Sequence, residues 1–74
     1  MSDREDLVRA RLESIEEELR DLEYSALARR AADPEGEDAA AARAEERRLA
    51  RARRAVARAV AALGGTGETG DDWA

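Results

Sequence analysis

The sequence predicts an all-α protein, an antiparallel two-helix coiled-coil hairpin with a disordered C-terminal tail. Three observations predict it. Apolar residues recur at alternating spacings of three and four, the only proline divides the chain near its middle, and the end of the chain is rich in glycine and acids. Because 74 residues form one domain at most, we expect a hairpin over 1–63, with helices at about 3–32 and 34–63, and a flexible tail over 64–74.

The first helix is indicated by a capping pattern and an unbroken apolar seam. Ser2 and Glu5 have the spacing of a capping box, in which each side chain can bond to the backbone amide of the other. The seam that follows has spacings of 4, 3, 4, 3 and 4, which is the heptad pattern of a packed helix pair. Its members are Val8, Leu12, Ile15, Leu19, Leu22 and Ala26.

Asp33 and Pro34 predict where the chain turns. Aspartate is a preferred N-cap, and proline fits the first position of a helix. Since the residue before a proline avoids helical backbone, the first helix should end by about Ala32. The second helix then begins at about Pro34, or only from Glu37, because Gly36 weakens that first turn. A connection this short makes the two helices antiparallel neighbours.

The second helix carries a thinner seam and is expected to stop at the glycine pair 64–65, which suits a helix C-cap. Alanine is frequent along the seam and lets the two backbones approach closely. The seam consists of Ala42, Leu49, Ala52, Val56, Val60 and Leu63, with Ala59 at its edge.

Two oppositely charged blocks predict how the helices are aligned. Residues 12–23 contain six acids and one base, whereas residues 47–58 contain six arginines and no acid. If the chain folds about residue 35, position i lies opposite about 70 minus i, and the two blocks face each other. Exposed ion pairs contribute only about 0.2–1 kcal/mol each, so their expected role is to set register and orientation.

The apolar content predicts a partner. Eleven valines, leucines and isoleucines and eighteen alanines are little material for the core of a lone hairpin. We expect a homodimer that forms a four-helix bundle, or a complex with a larger protein. The candidate partner-binding residues are those that lie off the seam or in the tail, namely Leu7, Tyr24, Leu27 and Trp73.

The composition argues against catalysis. The chain has no cysteine and no histidine, which removes thiolate chemistry, disulfides and nearly all zinc sites, and its serines have no histidine to activate them. We therefore expect no enzyme activity, cofactor, metal or small-molecule substrate. No long apolar stretch or signal peptide is recognisable, so we expect a cytoplasmic protein without membrane contact. The alanine- and arginine-rich composition is typical of a GC-rich, bacterial genome.

The sequence favours a small, non-catalytic helical interaction or adaptor module. A nucleic-acid-associated role is a weaker alternative, because the seven arginines between Arg43 and Arg58 could contact phosphates. The net charge of −5 and the acidic block on the first helix oppose it, so we do not expect nucleic acid as a partner.

The order of elements offers a second alternative. A helix, an acidic turn of sequence DPEG at 33–36, another helix and a glycine-rich segment resemble the coiled-coil half of the DksA/TraR-like RNA polymerase regulators. The resemblance implies a hairpin that enters the secondary channel of the polymerase, with acids at its tip acting near the catalytic magnesium. By this resemblance, Asp33 and Asp38 are the candidate tip residues.

Overall fold

The computed structural model describes residues 3–64 and shows two α-helices that pack against each other. Helix α1 spans Asp3–Ala32 and helix α2 spans Glu37–Gly64. The helices are antiparallel, because the ion pairs between them join lower residue numbers of α1 to higher residue numbers of α2 with increasing distance from the turn. Arg29–Glu45 lies near the turn and Glu23–Arg53 lies further away. The predicted all-α antiparallel hairpin is confirmed. The predicted cap at Ser2 and the predicted tail beyond Gly64, with Trp73, lie outside the described residues.

The turn between the helices is formed by Asp33–Gly36. The amide of Gly36 donates to the carbonyl of Asp33 at 3.1 Å, and the amide of Ala39 donates to the carbonyl of Gly36 at 3.2 Å. Aspartate first, proline second and glycine fourth is the residue preference of a type I β-turn. Helix α2 therefore begins at Glu37, the later of the two expected starts, and Pro34 belongs to the turn instead of the first helical position.

Gly36 is required by the space that Asp33 needs. The Asp33 carboxylate lies where a Cβ on Gly36 would stand. In this position the carboxylate is beside the N-terminus of α2, where the partial positive charge of the helix stabilises an anion. The close approach of the side chain to the backbone is possible because glycine has no side chain of its own.

This contact makes the effect of a Gly36→Ala substitution depend on Asp33. Alanine favours the folded state by limiting the unfolded chain, by about 0.4–1 kcal/mol, but in the wild type it must displace the carboxylate. We expect Gly36→Ala to be more favourable by about 0.5–1 kcal/mol in an Asp33→Ala background than in the wild type. Urea unfolding followed by circular dichroism measures all four chains. If Gly36→Ala changes the free energy of unfolding equally in the two backgrounds, the close approach of the Asp33 carboxylate to Gly36 does not contribute to stability.

The contact between the helices follows spacings of three and four on both sides, and most of its members are only half-buried. On α1 the least exposed positions are Arg9, Leu12, Glu16, Leu19, Glu23, Ala26 and Arg30, and on α2 the contact row is Ala39, Ala42, Glu46, Leu49, Arg53, Val56, Val60 and Leu63. The fully buried residues of the described part are three alanines, Ala26, Ala39 and Ala42. The tightest packing therefore lies beside the turn, and within residues 3–64 no large side chain is fully buried.

The structure corrects one half of the α1 seam. Leu12, Leu19 and Ala26 lie in the contact face, but Val8, Ile15 and Leu22 lie outside it and are 45%, 43% and 48% exposed. Their expected places are taken by the residues that directly follow each of them, Arg9, Glu16 and Glu23. This difference corresponds to a rotation of α1 about its own axis by about 50°.

A smaller correction applies to α2. Ala52 is exposed and its expected place is taken by Arg53, while Ala39 joins the contact near the turn. The remaining seam residues, Ala42, Leu49, Val56, Val60 and Leu63, are buried or half-buried. The pattern of hydrophobic residues alone favoured Ala52, but the arginine at the next position reaches an acid on α1.

The alignment of the helices also differs from the expected one. The residue numbers of the three cross-helix ion pairs add up to 74 or 76, so position i lies opposite about 75 minus i instead of 70 minus i. Part of the difference follows from helix geometry. Side chains tilt toward the N-terminus of their own helix, so two side chains of antiparallel helices meet when both residues are further along the chain than the level of contact.

Candidate interaction surface

The candidate site is a surface of the hairpin, because a depression found on the described part is shallow and bounded by one helix. That depression is lined by Glu18, Asp21, Leu22 and Ser25, which all belong to α1. Within residues 3–64 no cluster of acidic side chains is placed to hold a metal ion. Neither described helix combines the length and the hydropathy needed to cross a membrane. The candidate binding sites of the described part are therefore the exposed surfaces beside the helix–helix contact.

Glu23 and Arg53 form the central ion pair of the contact face. The Nε of Arg53 donates to Oε2 of Glu23, and its Nη2 donates to Oε1 at 3.4 Å. Hydrogen bonding to Glu23, together with the nearby Glu16 carboxylate, raises the pKa of Arg53 further above its usual range. A guanidinium held by two hydrogen bonds to one carboxylate has a defined orientation, so the pair restricts how α1 can rotate against α2.

Two further ion pairs lie closer to the turn. Arg30 pairs with Glu46 at 3.3 Å within the contact face, and Arg29 pairs with Glu45 at 2.9 Å. In both pairs the base is on α1 and the acid is on α2, the reverse of the polarity of the two charge blocks, which do not include these residues. The turn end of the hairpin contact is thus matched by single ion pairs and not by the blocks.

The Arg29–Glu45 pair identifies which surfaces of the two helices lie on the same side. Leu22 precedes Arg29 by seven residues, and Ala52 follows Glu45 by seven residues. Residues seven apart lie on the same face of a helix, so the rows that contain Arg29 and Glu45 border one flank of the hairpin. We call this surface the apolar flank, and it consists of Val8, Ile15, Leu22, Ala52 and Ala59.

The apolar flank contains the longest regularly spaced row of exposed aliphatic side chains in the described part. From Val8 to Leu22 the row extends over fourteen residue steps of α1, about 21 Å along the helix axis. Half-buried Leu12 and Leu19 lie next to them, and on α2 the row continues as alanine, with Ala52 exposed and Ala59 half-buried. The side chains that the sequence placed in the hairpin seam but the structure leaves outside it therefore meet on one side of the molecule.

The residues that the sequence singled out for partner binding do not form such a row. Leu7, Tyr24 and Leu27 are 59%, 65% and 37% exposed, but at 100° per residue Leu7 lies about 100° from Tyr24 and about 160° from Leu27, so only Tyr24 and Leu27 are neighbours on α1. Trp73 lies outside the described residues. A pattern search for apolar positions at heptad spacing found Val8, Ile15 and Leu22, but it could not tell that they face outward.

The charge blocks form two separate outer faces. On α1 the exposed acids are Glu13, Glu17, Glu18 and Asp21, and on α2 the exposed bases are Arg47, Arg48, Arg51, Arg54 and Arg58. Across residues 3–64, Glu23–Arg53 is the one ion pair that joins the two blocks. The two blocks were expected to face each other, but most of their members are exposed and point away from the contact.

The candidate tip residues, Asp33 and Asp38, are exposed at the end of the hairpin. They differ in their surroundings, since the carboxylate of Asp33 lies over Gly36, whereas Asp38 belongs to the first turn of α2.

No family model, curated protein or solved structure matches this chain.

The Glu23–Arg53 pair leads to a stability prediction. Removing one partner leaves the other partly buried charge without its counterion, so Glu23→Ala and Arg53→Ala should each lower the urea midpoint. Replacing both residues by leucine fills the same contact with apolar atoms, and we expect the midpoint of Glu23→Leu/Arg53→Leu to lie above the wild type. Circular dichroism in urea measures the series. A double-leucine chain that is less stable than either single variant would contradict this expectation.

Proposed function

We propose that this chain is a small, non-catalytic helical interaction module that binds another protein chain through the apolar flank. The observation that carries the proposal is the exposed row of Val8, Ile15 and Leu22 beside a contact whose fully buried members are only alanines. Scattered exposed aliphatics are common on proteins. A row at heptad spacing is different, because it is the pattern on which a second helix packs.

The energetics support this use of the flank. Full burial of an aliphatic side chain contributes about 1.5–3 kcal/mol, and the three flank residues of α1 keep nearly half of their surface in water. A partner helix would remove that surface from water without disturbing the hairpin contact. The shape supports it as well, since the protein measures 51 × 27 × 12 Å and is therefore one helix thick.

A second candidate function uses the tip. Asp33 and Asp38 are exposed at the end of the hairpin, which is the observation that favours a polymerase regulator of the DksA/TraR type. We rank it below the interaction module because the Asp33 carboxylate lies against Gly36, beside the N-terminus of α2, where it stabilises the turn. This local role accounts for the aspartate without a further partner.

Site-specific photocrosslinking tests the proposed function in the native host. A photoreactive phenylalanine replaces Ile15 in one variant and Leu7 in a second variant. Both native residues are exposed aliphatics of α1, but only Ile15 lies on the apolar flank. We expect a crosslinked protein product from position 15 and none from position 7, because only the flank is occupied.

Adding Leu22→Glu to the position-15 chain should abolish its crosslink, because a carboxylate cannot be buried on the flank without a counterion. Adding Tyr24→Glu, which introduces the same charge away from the flank, should leave the crosslink in place. Equal products from positions 15 and 7, or a crosslink that survives Leu22→Glu, would refute the flank as the binding surface. A crosslink to nucleic acid in place of protein would favour the arginines of α2 instead.

The tip hypothesis has its own test. In Asp33→Asn/Asp38→Asn the asparagines keep the capacity to accept a hydrogen bond, and the two charges are removed. If the tip acts in the polymerase channel, purified polymerase should respond to the wild-type chain and lose most of that response with the double variant. Transcription that is the same with wild type, with the variant and without the protein would end the regulator interpretation.

A further inference from the structure

We propose that the apolar flank is covered by the same flank of a second copy, in a two-fold dimer whose turns lie at the same end. This inference rests on the proposed function, since it names the partner of that surface. It also goes further, because it specifies which helix of one copy lies on which helix of the other. The observations that carry it are the sizes of the flank side chains and the placement of the two charged faces.

The flank is complementary to itself in side-chain size. Its α1 row carries large aliphatic residues, Val8, Ile15 and Leu22, while its α2 row carries Ala52 and Ala59. Two exposed residues next to that alanine row, Ala55 and Ala62, are also small, and Arg48 continues their row toward the turn. Large side chains pack best into the spaces between small ones, so the α1 row of one copy fits the α2 row of another.

Two symmetric arrangements could bring the flanks together. A two-fold axis parallel to the hairpin's long axis places α1 of each copy on α2 of the other and puts both turns at the same end. A two-fold axis perpendicular to the long axis places α1 on α1 and α2 on α2, with the turns at opposite ends. Only the first arrangement sets the large row against the alanine row, because the second opposes large with large and small with small.

The charges select the same arrangement. The exposed acids of α1 and the exposed arginines of α2 are not neutralised within one hairpin. In the first arrangement the register of the hairpin recurs between copies, so Glu18 and Asp21 lie near the level of Arg58 and Arg54 of the second copy. In the second arrangement acids approach acids and arginines approach arginines, which is unfavourable.

A second copy explains the flank better than an unrelated protein does. A dimer interface with two-fold symmetry uses the same patch on both chains and must be complementary to itself, and this flank carries both halves of the match. The two helices are about 45 and 42 Å long and lie side by side, so their broad face is large enough for an interface of about 800 Å² per partner. Two single layers of helices would then enclose Val8, Ile15 and Leu22 in a four-helix core.

Distance measurements between spin labels test the arrangement. The chain has no cysteine, so Glu35→Cys places one label in the turn of each copy of the full chain. We expect a mass of twice 8.1 kDa by sedimentation and a distance below about 30 Å between the two turns, because neighbouring helices lie about 10 Å apart. In the perpendicular arrangement the two turns would be separated by roughly the length of the hairpin, 51 Å.

A mixed sample provides the control for this distance. When Glu35→Cys chains are mixed with Arg4→Cys chains, the mixed dimers add a long distance that neither variant gives alone in the proposed arrangement, and a short one in the perpendicular arrangement. Leu22→Glu should raise the dimer dissociation constant at least about tenfold, whereas Leu7→Glu, the same substitution at a more exposed leucine off the flank, should change it less than about twofold. Circular dichroism checks that both variants remain helical.

The outcomes separate this inference from the proposed function. A stable wild-type monomer at micromolar concentration, with position-15 crosslinks to a different protein, would overturn the self-association but keep the flank as a binding surface. A dimer with a long distance between the turns would overturn the arrangement. Equal weakening by Leu22→Glu and Leu7→Glu would overturn both, since dimerisation would then not depend on the flank. If Leu22→Glu fails to fold, the wild-type distances still decide.

Discussion

The orientation of α1 about its own axis depends on two ion pairs in the contact face, Glu23–Arg53 and Arg30–Glu46. Both use residues that belong to the same row on their helices, and both place a charged side chain where the hydrophobic pattern would have placed an aliphatic one. When both ion pairs form, α1 is rotated about its own axis by about 50° from the orientation in which the predicted apolar seam would face α2. The rotation keeps Leu12, Leu19 and Ala26 against α2 and turns Val8, Ile15 and Leu22 outward.

This orientation explains why the hairpin has so little interior. Two helices share a single line of contact, and here that line holds small residues near the turn and two ion pairs, Arg30–Glu46 and Glu23–Arg53. The alanines Ala26, Ala39 and Ala42 can be fully buried because they allow the backbones to approach closely. The larger side chains lie at the margins of the contact, where one neighbouring helix covers only one of their sides. A helix pair of this kind has apolar surface left for a further layer.

The same constraint gives the molecule its separate surfaces. Since the contact face holds its own ion pairs, most acids of α1 and most arginines of α2 point to solvent, and the hairpin has an acidic side and a basic side. The turn is independent of these surfaces. Its β-turn hydrogen bond and the placement of the Asp33 carboxylate over Gly36 are local effects that would form whatever the flank of the hairpin contacts.

The sequence by itself determined the helices, their antiparallel order and the place of the turn, because these depend on local signals. Proline, glycine and the acids around residues 33–36 act on the backbone within a few residues, and a short connection leaves only one order for its two helices. The end of α1 at Ala32 and the end of α2 at Gly64 are therefore close to the expected positions. Only the tertiary structure decided which half of the α1 stripe is covered. Rows containing Ile15 and Glu16 lie on either side of Leu12 and Leu19 at nearly equal angles, so periodicity cannot choose between them. The choice depends on Arg53 and Glu46 of the opposite helix reaching their partners, a contact between residues sixteen to thirty positions apart in the chain.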